Sequence, residues 1–476
     1  MEGVMVGDVG CGGMGRPREE PTGAPPALFP AVTDCKTIRV SPVKKLYDQT
    51  LECVASNLYL YTDVLHHMPV ANVTDILGKV YELKLTRNLQ QQLSNLRLLE
   101  KILKNTANWK IIHKCLRLVL EKETRFGLYL ASLKVKDYEV MKQKALTGCI
   151  KDSDVMQFIY SVIRLGSFFA ERGMYECAKV VYDCADFLDV NSQLNEGHLE
   201  MAFEVTVRIS HVLTLDCQFE EANKMILNAN AFLTYFHAYK PNRAMLYTTT
   251  SIYMYSHSQY DKSYDLALQA VAELRPNLRP KIIIDTLRQA CKACIIKRLF
   301  DSAHTYIKEA VKLSKFFFGI EHPKYADSLS DYGFLLLSVD SVNHAVKFYK
   351  EALKIHQEMF GERSICTAIT HEDLAYAMYV NEYNRGDFKD AKLHAEYAQV
   401  YLMEMLPRDH LLLSSSKRVQ ALILEEVAID LESSQVRSYF YRSVHCRESF
   451  NAKIYFAYIT ILNIPWRGND ILPQDG

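Results

Sequence analysis

The sequence predicts an all-α protein, built mainly as a solenoid of antiparallel helix pairs. One pattern of small and aromatic residues recurs six times after about residue 155. Ahead of it, between Val43 and Leu146, apolar residues recur at helical spacing and Gly and Pro are nearly absent. The chain has 476 residues, too many for one compact globule, and 49% of them are hydrophobic, enough to bury a continuous core.

The charge balance argues against two classes of partner. The 56 basic and 56 acidic residues give a formal net charge of +0, without the basic surface of a nucleic-acid binder or of a membrane tether.

No run of about 18 apolar residues is present, so no transmembrane helix is expected. The 12 cysteines are scattered without a framework spacing, which favours reduced thiols in a cytoplasmic or nuclear protein.

Residues 1–36 are predicted to form a disordered tail, because they are rich in Gly and Pro and cannot offset their ordering entropy by burying apolar surface. They lack the basic stretch and apolar run of a secretory signal. Residues 37–154 are predicted to be a helical region without an obvious repeat. Leu58 and Leu60 are expected to continue the helix of Leu46, and Leu83 and Leu85 that of Leu77.

The repeat unit is clear in its first copy. Gly166 and Phe169 lie at helical spacing on a first helix, and after a turn Tyr175, Ala178 and Tyr182 lie on a second helix. Small residues of each helix can then face large residues of the other, which allows close antiparallel packing.

Five more copies follow within residues 155–435. The turn residue, aromatic in all but the fifth copy, stands at 175, 219, 260, 300, 342 and 388, giving steps of 44, 41, 40, 42 and 46 residues. These steps exceed the standard tetratricopeptide repeat of about 34 residues, so longer helices and the Gly-containing loops at 318–323 and 360–364 must absorb the excess. This longer unit resembles the tetratricopeptide repeats of kinesin light chains. A seventh first helix is predicted from about 410 to 430. Residues 436–476 diverge, either as an altered terminus or as a self-capping helix.

Longer words in the later units resemble one family. They are Leu287-Arg288-Gln289-Ala290, His322-Pro323-Lys324-Tyr325, His371-Glu372-Asp373-Leu374-Ala375-Tyr376 and Asp409-His410-Leu411-Leu412-Leu413. Together they resemble the amyloid protein-binding protein 2 family of cytoplasmic tetratricopeptide proteins, most specifically between about 280 and 430. The resemblance ends near 432, which predicts a divergent and shortened member.

This resemblance implies two activities. The family binds the sorting tail of amyloid precursor protein and associates with microtubules. It also supplies the substrate receptor of a cullin–RING ubiquitin ligase, which reads C-terminal degrons containing Arg and Gly. The second role requires an elongin-binding box near the N-terminus.

Leu46, Thr50 and Val54 fit such a box, because their i, i+4, i+8 spacing places all three on one helix face, with Leu46 filling an apolar pocket on elongin C. Thr50 departs from the Cys often found at its position. Met68 and Pro69 lie where the family's cullin-selecting hydrophobic-Pro motif would lie. The alternative is an ordinary amphipathic helix followed by its terminating proline.

No catalytic or cofactor-binding set is found. Cys291-x-x-Cys294 has no second pair at zinc-site spacing, so the two cysteines are interpreted as packing residues. His66 and His67 are adjacent and would point to different faces of a helix. His371 lacks the second histidine of a His-Glu-x-x-His zinc motif. The chain is therefore predicted not to be an enzyme and to need no cofactor.

Polar residues on first helices are the candidate peptide-groove residues, because first helices line the inner groove of such arrays. A basic group with a hydroxyl could hold a peptide C-terminal carboxylate, and a carboxylate could hold a peptide Arg. The alternative for each is solvated helix surface. The candidates are Arg288, Lys292, Lys297, Tyr325, Asp327, Asp331, His371, Asp373, Tyr376, Ser415, Lys417 and Arg418.

Two functions follow from these patterns. The first is a substrate-recruiting adaptor that binds C-terminal degron peptides in its groove and docks elongin B, elongin C and a cullin–RING module. The second is a microtubule-associated trafficking adaptor that uses the same groove for cytoplasmic tails of membrane proteins, such as the tail of amyloid precursor protein. One groove can serve both. The expected locations are cytoplasm and nucleus, with cytoskeletal or peripheral membrane association.

Overall fold

The structure is a computed structural model, which describes residues 46–60, 64–104, 109–147, 151–185, 196–236, 241–383 and 388–430. The predicted tail, 1–36, and the divergent segment, 436–476, lie outside these residues. By compactness the chain divides between Asp48 and Gln49, and all packing below belongs to the second part. Every regular element in the described ranges is a helix. The all-α prediction is therefore confirmed.

Within the described residues, the non-repeat region contains seven α-helices. They are α1 (Leu46–Ser56), α2 (Val64–His67), α3 (Val70–Glu82), α4 (Thr86–Leu93), α5 (Leu96–Leu103), α6 (Trp109–Leu120) and α7 (Phe126–Leu146), with a short 3-10 turn at Leu58–Leu60. Two sequence predictions were wrong in detail. Leu58 and Leu60 lie in the 3-10 turn beyond α1, and Leu83 and Leu85 lie in the turn between α3 and α4, where Lys84 has φ 53. Apolar spacing alone does not show such a break.

The array consists of first and second helices in alternation. The first helices are α8 (Asp152–Glu171), α10 (Glu196–Leu215), α12 (Ala244–Ser256), α14 (Pro280–Ile296), α16 (Pro323–Ser338), α18 (Ile365–Glu382) and α20 (Leu411–Asp430). The second helices are α9 (Tyr175–Asp183), α11 (Phe219–Phe232), α13 (Tyr260–Ala272), α15 (Phe300–Phe318), α17 (Val342–Phe360) and α19 (Lys389–Met405). The solenoid of helix pairs is thus confirmed, and the excess length lies in second helices such as α15 and α17, of 19 residues each.

The turns within the pairs share one backbone conformation. The residue two positions before the second helix has a positive φ in five successive units, and these residues are Gly173 (φ 74), Cys217 (φ 59), Ser258 (φ 57), Arg298 (φ 58) and Asp340 (φ 60). Among these five units only the first uses glycine there, although the left-handed region disfavours other residues. The repetition shows that the packing of the two helices imposes the turn.

Small residues allow the paired helices to approach closely. A Cβ added to Gly166 would lie 2.4 Å from the Tyr182 ring, and one added to Gly333 would lie 2.8 Å from the Tyr349 ring. Both glycines lie on first helices and both tyrosines on second helices. The predicted contact of small residues with large ones is confirmed.

The non-repeat region also packs against distant units. The Arg117 guanidinium on α6 donates to the carbonyls of Gln357 (3.1 Å) and Glu358 (2.9 Å), near the C-terminal end of α17. The Gln357 carbonyl also accepts from the N–H of Gly361, which caps this helix. The ring of Trp109, at the start of α6, packs against that of His322, in the loop before α16, with ring centroids 4.1 Å apart. Helix α6 therefore contacts the regions of both Gly-containing loops, at 318–323 and 360–364. A helical period does not predict contacts of this kind.

The first two units also touch the fifth, sixth and seventh. Buried Arg172, after α8, donates to the Met359 carbonyl at 3.5 Å, and the Cys366 thiol on α18 donates to the Glu171 carbonyl at 3.8 Å. His410, before α20, bonds to the Asp216 carbonyl at 3.2 Å. Because units far apart in sequence meet, the superhelix is tightly wound. We refer to its inner side, along the first helices, as the channel.

Candidate functional site: a charged channel

The centre of the channel is a bridge of ion pairs between the fourth and fifth units. Arg288 on α14 donates from Nε to Asp331 at 2.6 Å, and from one terminal nitrogen to Asp285 at 3.1 Å and Asp327 at 3.3 Å. The side chains of Arg288 and Asp331 are 17% and 7% exposed. A single guanidinium therefore serves three carboxylates at low exposure, the geometry in which charge-assisted bonds are strong.

Two lysines complete this ion-pair network. Lys292 lies 2.9 Å from Asp331, and Lys324 lies 2.7 Å from Asp285. Burial would raise the pKa of Asp285, but Lys324 and Arg288 outweigh it and lower that pKa. Arg288 and its neighbours likewise hold the pKa of Asp327 far below its usual value, against its burial. Asp285 and Asp327 are thus held as carboxylates that the neighbouring cations neutralise.

The sequence placed Arg288, Lys292, Asp327 and Asp331 in one groove, and the structure does bring them together. In the structure, however, these residues form ion pairs with one another. A peptide carboxylate would have to displace an aspartate from Arg288 or Lys292 in order to bind there. Spacing could not reveal this, because the partners come from different units.

The sixth unit differs. Glu372 and Asp373 are neighbours on α18, and burial raises the pKa of Glu372 to about 8 and that of Asp373 to about 7. The Ser415 hydroxyl on α20 donates to Glu372 at 2.5 Å. Arg418 acts on Glu372, and Lys292 on Asp373, only as more distant charges. Within the described ranges neither carboxyl group has an ion-pair partner, so the channel offers an acidic pair without a cation. The raised pKa values favour the protonated form of the pair until a cation approaches.

Glu372 was absent from the residues proposed for the groove. The available signal was its place beside Asp373, in a word already noted as a possible metal motif. No three His, Cys, Asp or Glu side chains of the described residues are placed to hold a metal ion.

Several predicted groove residues lie elsewhere. Tyr325 is buried with Ala352 and Met359 between α16 and α17, and Tyr376 is buried in the core of the fifth and sixth units. They were misplaced because a first helix also presents a face to its partners in the core, and a tyrosine can bury its ring there.

Four further candidates are also outside the ion-pair network. His371 is 2% exposed and bonds through Nδ1 to His394 on α19 at 2.8 Å. Lys297 forms an ion pair with Asp261 near the turn that begins α13. Lys417 and Arg418 are half-buried on α20.

The residues of the predicted elongin box lie in α1, where Leu46 is 79% exposed, Thr50 is exposed and Val54 is half-buried. Pro69 is not the end of a helix but the residue that precedes α3. Met68 is half-buried, and its carbonyl accepts a bond from Lys101 Nζ at 2.7 Å. The structure thus fixes where these side chains lie, while their binding role stays a prediction.

The cysteine interpretation holds. Cys291 and Cys294 are buried in the core between α14 and α15, and the cysteines of the described ranges are free thiols. Burial raises the pKa of Cys294 to about 11, which makes it a packing residue rather than a nucleophile. Among the helices that the structure describes, none combines the length and apolar character needed to cross a bilayer.

Helix pairs with small residues facing aromatic ones, stacked around a polar inner channel, define a protein of the tetratricopeptide-repeat class. No family model matches the chain. The amyloid protein-binding protein 2 of Rattus norvegicus and that of Mus musculus are each 33% identical to it over 410 residues, which is 84% of this chain and 68% of the relative. The chain belongs to the amyloid protein-binding protein 2 family.

A solved structure of a kinesin light chain gives a weaker likeness. The putative kinesin light chain of Podosopora anserina, with nearly identical TPR-like repeats, is 14% identical and covers 46% of this chain and 97% of its own, with a TM-score of 0.33. The fold assignment therefore rests on the helix pairs themselves.

Proposed function

We propose that this chain is a non-enzymatic adaptor, the substrate-recognition subunit of an elongin–cullin–RING ubiquitin ligase. In this proposal the channel binds the C-terminal tail of a substrate, and the region of α1 to α3 docks elongin B, elongin C and the cullin. The repeat fold and the family support a protein-binding adaptor; the ligase role adds the box at Leu46, Thr50 and Val54.

The observation that carries the peptide site is the acidic pair, Glu372 and Asp373. An arginine or lysine of a peptide tail would supply the cation that the channel lacks at this point. A guanidinium can bond to a carboxylate through two nitrogens, which selects arginine over lysine. Ser415 would keep one oxygen of Glu372 oriented toward the peptide.

Peptide binding tests this site. Full-length protein is titrated with fluorescent C-terminal peptides that carry Arg, and with the same peptides carrying Gln. The double variant Glu372→Gln/Asp373→Asn should bind Arg peptides at least about tenfold more weakly, since removing one partner of a shielded charge pair costs roughly 2 to 5 kcal/mol. Glu396→Gln, on the outer surface of α19, is the matched control. Equal binding by the double variant would reject the acidic pair as the peptide site.

Co-purification tests the ligase role separately. The variant Leu46→Asp should lose elongin B and elongin C while keeping peptide affinity, because the box and the channel are different surfaces. Leu146→Asp is the control, since Leu146 on α7 is also strongly exposed, at 69%. Full recovery of elongins by Leu46→Asp would exclude the box and leave the channel proposal standing.

A second candidate function is a microtubule-associated trafficking adaptor. The family relatives are named for binding amyloid protein, and a channel that accepts a peptide tail would suit the cytoplasmic tail of a membrane protein. Pelleting with microtubules, with and without the tail of amyloid precursor protein, tests it. No association under either condition would remove this candidate. In both functions we expect peptide binding without added metal or nucleotide, and location in cytoplasm and nucleus.

A further inference from the structure

The outer face of α19 is apolar. Leu393, Tyr397, Val400 and Met403 are 43%, 40%, 50% and 59% exposed. Steps of four, three and three residues place them along one side of the helix. We name these four residues the α19 stripe. The opposite side of α19 is buried through Ala395 and its neighbours, so the stripe is not part of the solenoid core.

The fold does not require this stripe. The α17 residues 46 positions earlier, at the same place in the fifth unit, are Lys347, Glu351, Lys354 and Gln357. The first three of them are exposed. A second helix of this array is therefore built equally well with a polar outer face. An apolar face at one unit then points to a binding surface rather than to a folding need.

The charges around the stripe match a second copy of it. Lys389 and Lys392, beside one acid, Asp390, lie at its N-terminal end, whereas Glu404 lies at its C-terminal end and Glu396 lies between them. If a second α19 runs antiparallel, the basic end of each helix meets the acidic end of the other. The partners within the chain, Lys392–Glu396 at 3.8 Å and Arg363–Glu404 at 3.0 Å, are exposed pairs that cost little to exchange.

The aromatic centre of the stripe is held in place before any partner binds. The rings of Tyr397 and Tyr401 stack with centroids 6.0 Å apart and an interplanar angle of 5°, and the Tyr397 ring also meets that of buried His371 at 5.4 Å. A tyrosine fixed in this way loses little entropy on binding, as the anchor residues of interfaces do.

We propose that the α19 stripe is a self-association surface, on which the stripe of a second copy of this chain packs antiparallel about a twofold axis. A crossing of two helices buries less than the about 1,200 Å² of a stable interface. The dimer is therefore weak, with a Kd on the order of micromolar, and it joins two peptide channels in one particle. This inference does not rest on the ligase or trafficking role.

Sedimentation velocity of the full chain, from about 1 to 100 μM, tests the proposal. Wild type should shift from monomer to dimer over this range. The triple variant Leu393→Lys/Tyr397→Glu/Val400→Lys, which carries the α17 residues at these positions, should stay monomeric with an unchanged melting temperature. Phe316→Lys/Phe317→Glu, which removes another exposed apolar pair, is the control and should dimerise like wild type.

The charge arrangement gives a second readout. Lys392→Glu should weaken the dimer at least about tenfold, and Lys392→Glu/Glu404→Lys should restore it, because only an antiparallel arrangement pairs these ends. A monomeric wild type at every concentration, or a triple variant that dimerises as before, would overturn the proposal. A monomeric wild type whose triple variant melts at lower temperature would show that the same chain covers the stripe, which also overturns it.

Discussion

Two regions of the channel differ in how their acidic residues are paired. One region is the fourth and fifth units, and the other is the sixth unit. In the former, the acids Asp285, Asp327 and Asp331 share the guanidinium of Arg288. In the latter, Glu372 and Asp373 have no ion-pair partner among the described residues, and burial raises the pKa of both. All five acids lie on first helices, so the difference arises from the bases that accompany them.

This difference separates a structural use of charge from a binding use. A neutralised network joins neighbouring first helices and costs energy when one member is removed. Buried carboxyl groups without a cation lower the stability of the free protein, and only the binding of a cation can offset this loss. We therefore expect a ligand to contact the carboxyl groups with raised pKa values rather than the neutralised network.

The largest effect should follow from breaking the network. Arg288→Met leaves three shielded acids without their shared cation, and removal of one partner of a buried ion pair typically costs about 3 to 5 kcal/mol. Denaturant unfolding should show a loss of that size at neutral pH. Lys312→Met is the matched control, because its pair with Glu309 is exposed and should contribute less than about 1 kcal/mol. Equal losses in the two variants would mean that the network is not structural.

The pH dependence of stability should distinguish the two groups next. The pKa values of Asp285 and Asp327 are lowered on folding, so their stabilisation is present above the unfolded pKa of about 4 and is lost as pH falls through the folded value. Glu372 and Asp373 have raised values of about 8 and about 7. Their contribution is full below the unfolded pKa of about 4 and is lost as pH rises through about 7 to 8.

Glu372→Gln/Asp373→Asn should therefore flatten the decline of stability between pH 5 and pH 8. Each of the two substitutions removes one carboxyl group that takes up a proton on folding. It should change the slope of the unfolding free energy by at most about 1.4 kcal/mol per pH unit, and by less where water reaches the group. Thermal melts across this range, with Asp285→Asn as the comparison, measure the effect. If the double variant keeps the slope of wild type, the two carboxylates ionise normally in the free protein.

The helix pairs could be predicted because their determinants are local. Gly166 and Tyr182 stand 16 residues apart in the sequence, and their contact follows once both helices are assumed. The same holds for the turn residues, which recur at a nearly constant step. Such features repeat six times, so one sequence supplies its own comparison.

The channel chemistry could not be predicted in the same way. Arg288 and Asp331 were both identified, but their mutual bond depends on how neighbouring units rotate against each other. The contact of Arg117 with the end of α17 spans 240 residues and follows no period. Tyr376 carried a plausible binding group and lies in the core instead. Spacing therefore predicts the face of a helix, whereas partners across the superhelix require its curvature.

The smallest predicted effect concerns Ser415, whose hydroxyl donates to Glu372. Its bond lowers the pKa of Glu372 against the effect of burial. Ser415→Ala should therefore raise that pKa further and weaken binding of an Arg peptide by roughly 0.5 to 1.5 kcal/mol at neutral pH, the usual worth of one hydrogen bond. In the background of Glu372→Gln the same substitution should change binding much less, because the carboxylate that it assists is absent. Peptide titration of wild type, both single variants and the double variant completes the cycle. Additive losses would show that Ser415 and Glu372 contribute to peptide binding independently, so that the hydroxyl does not act through the carboxyl group.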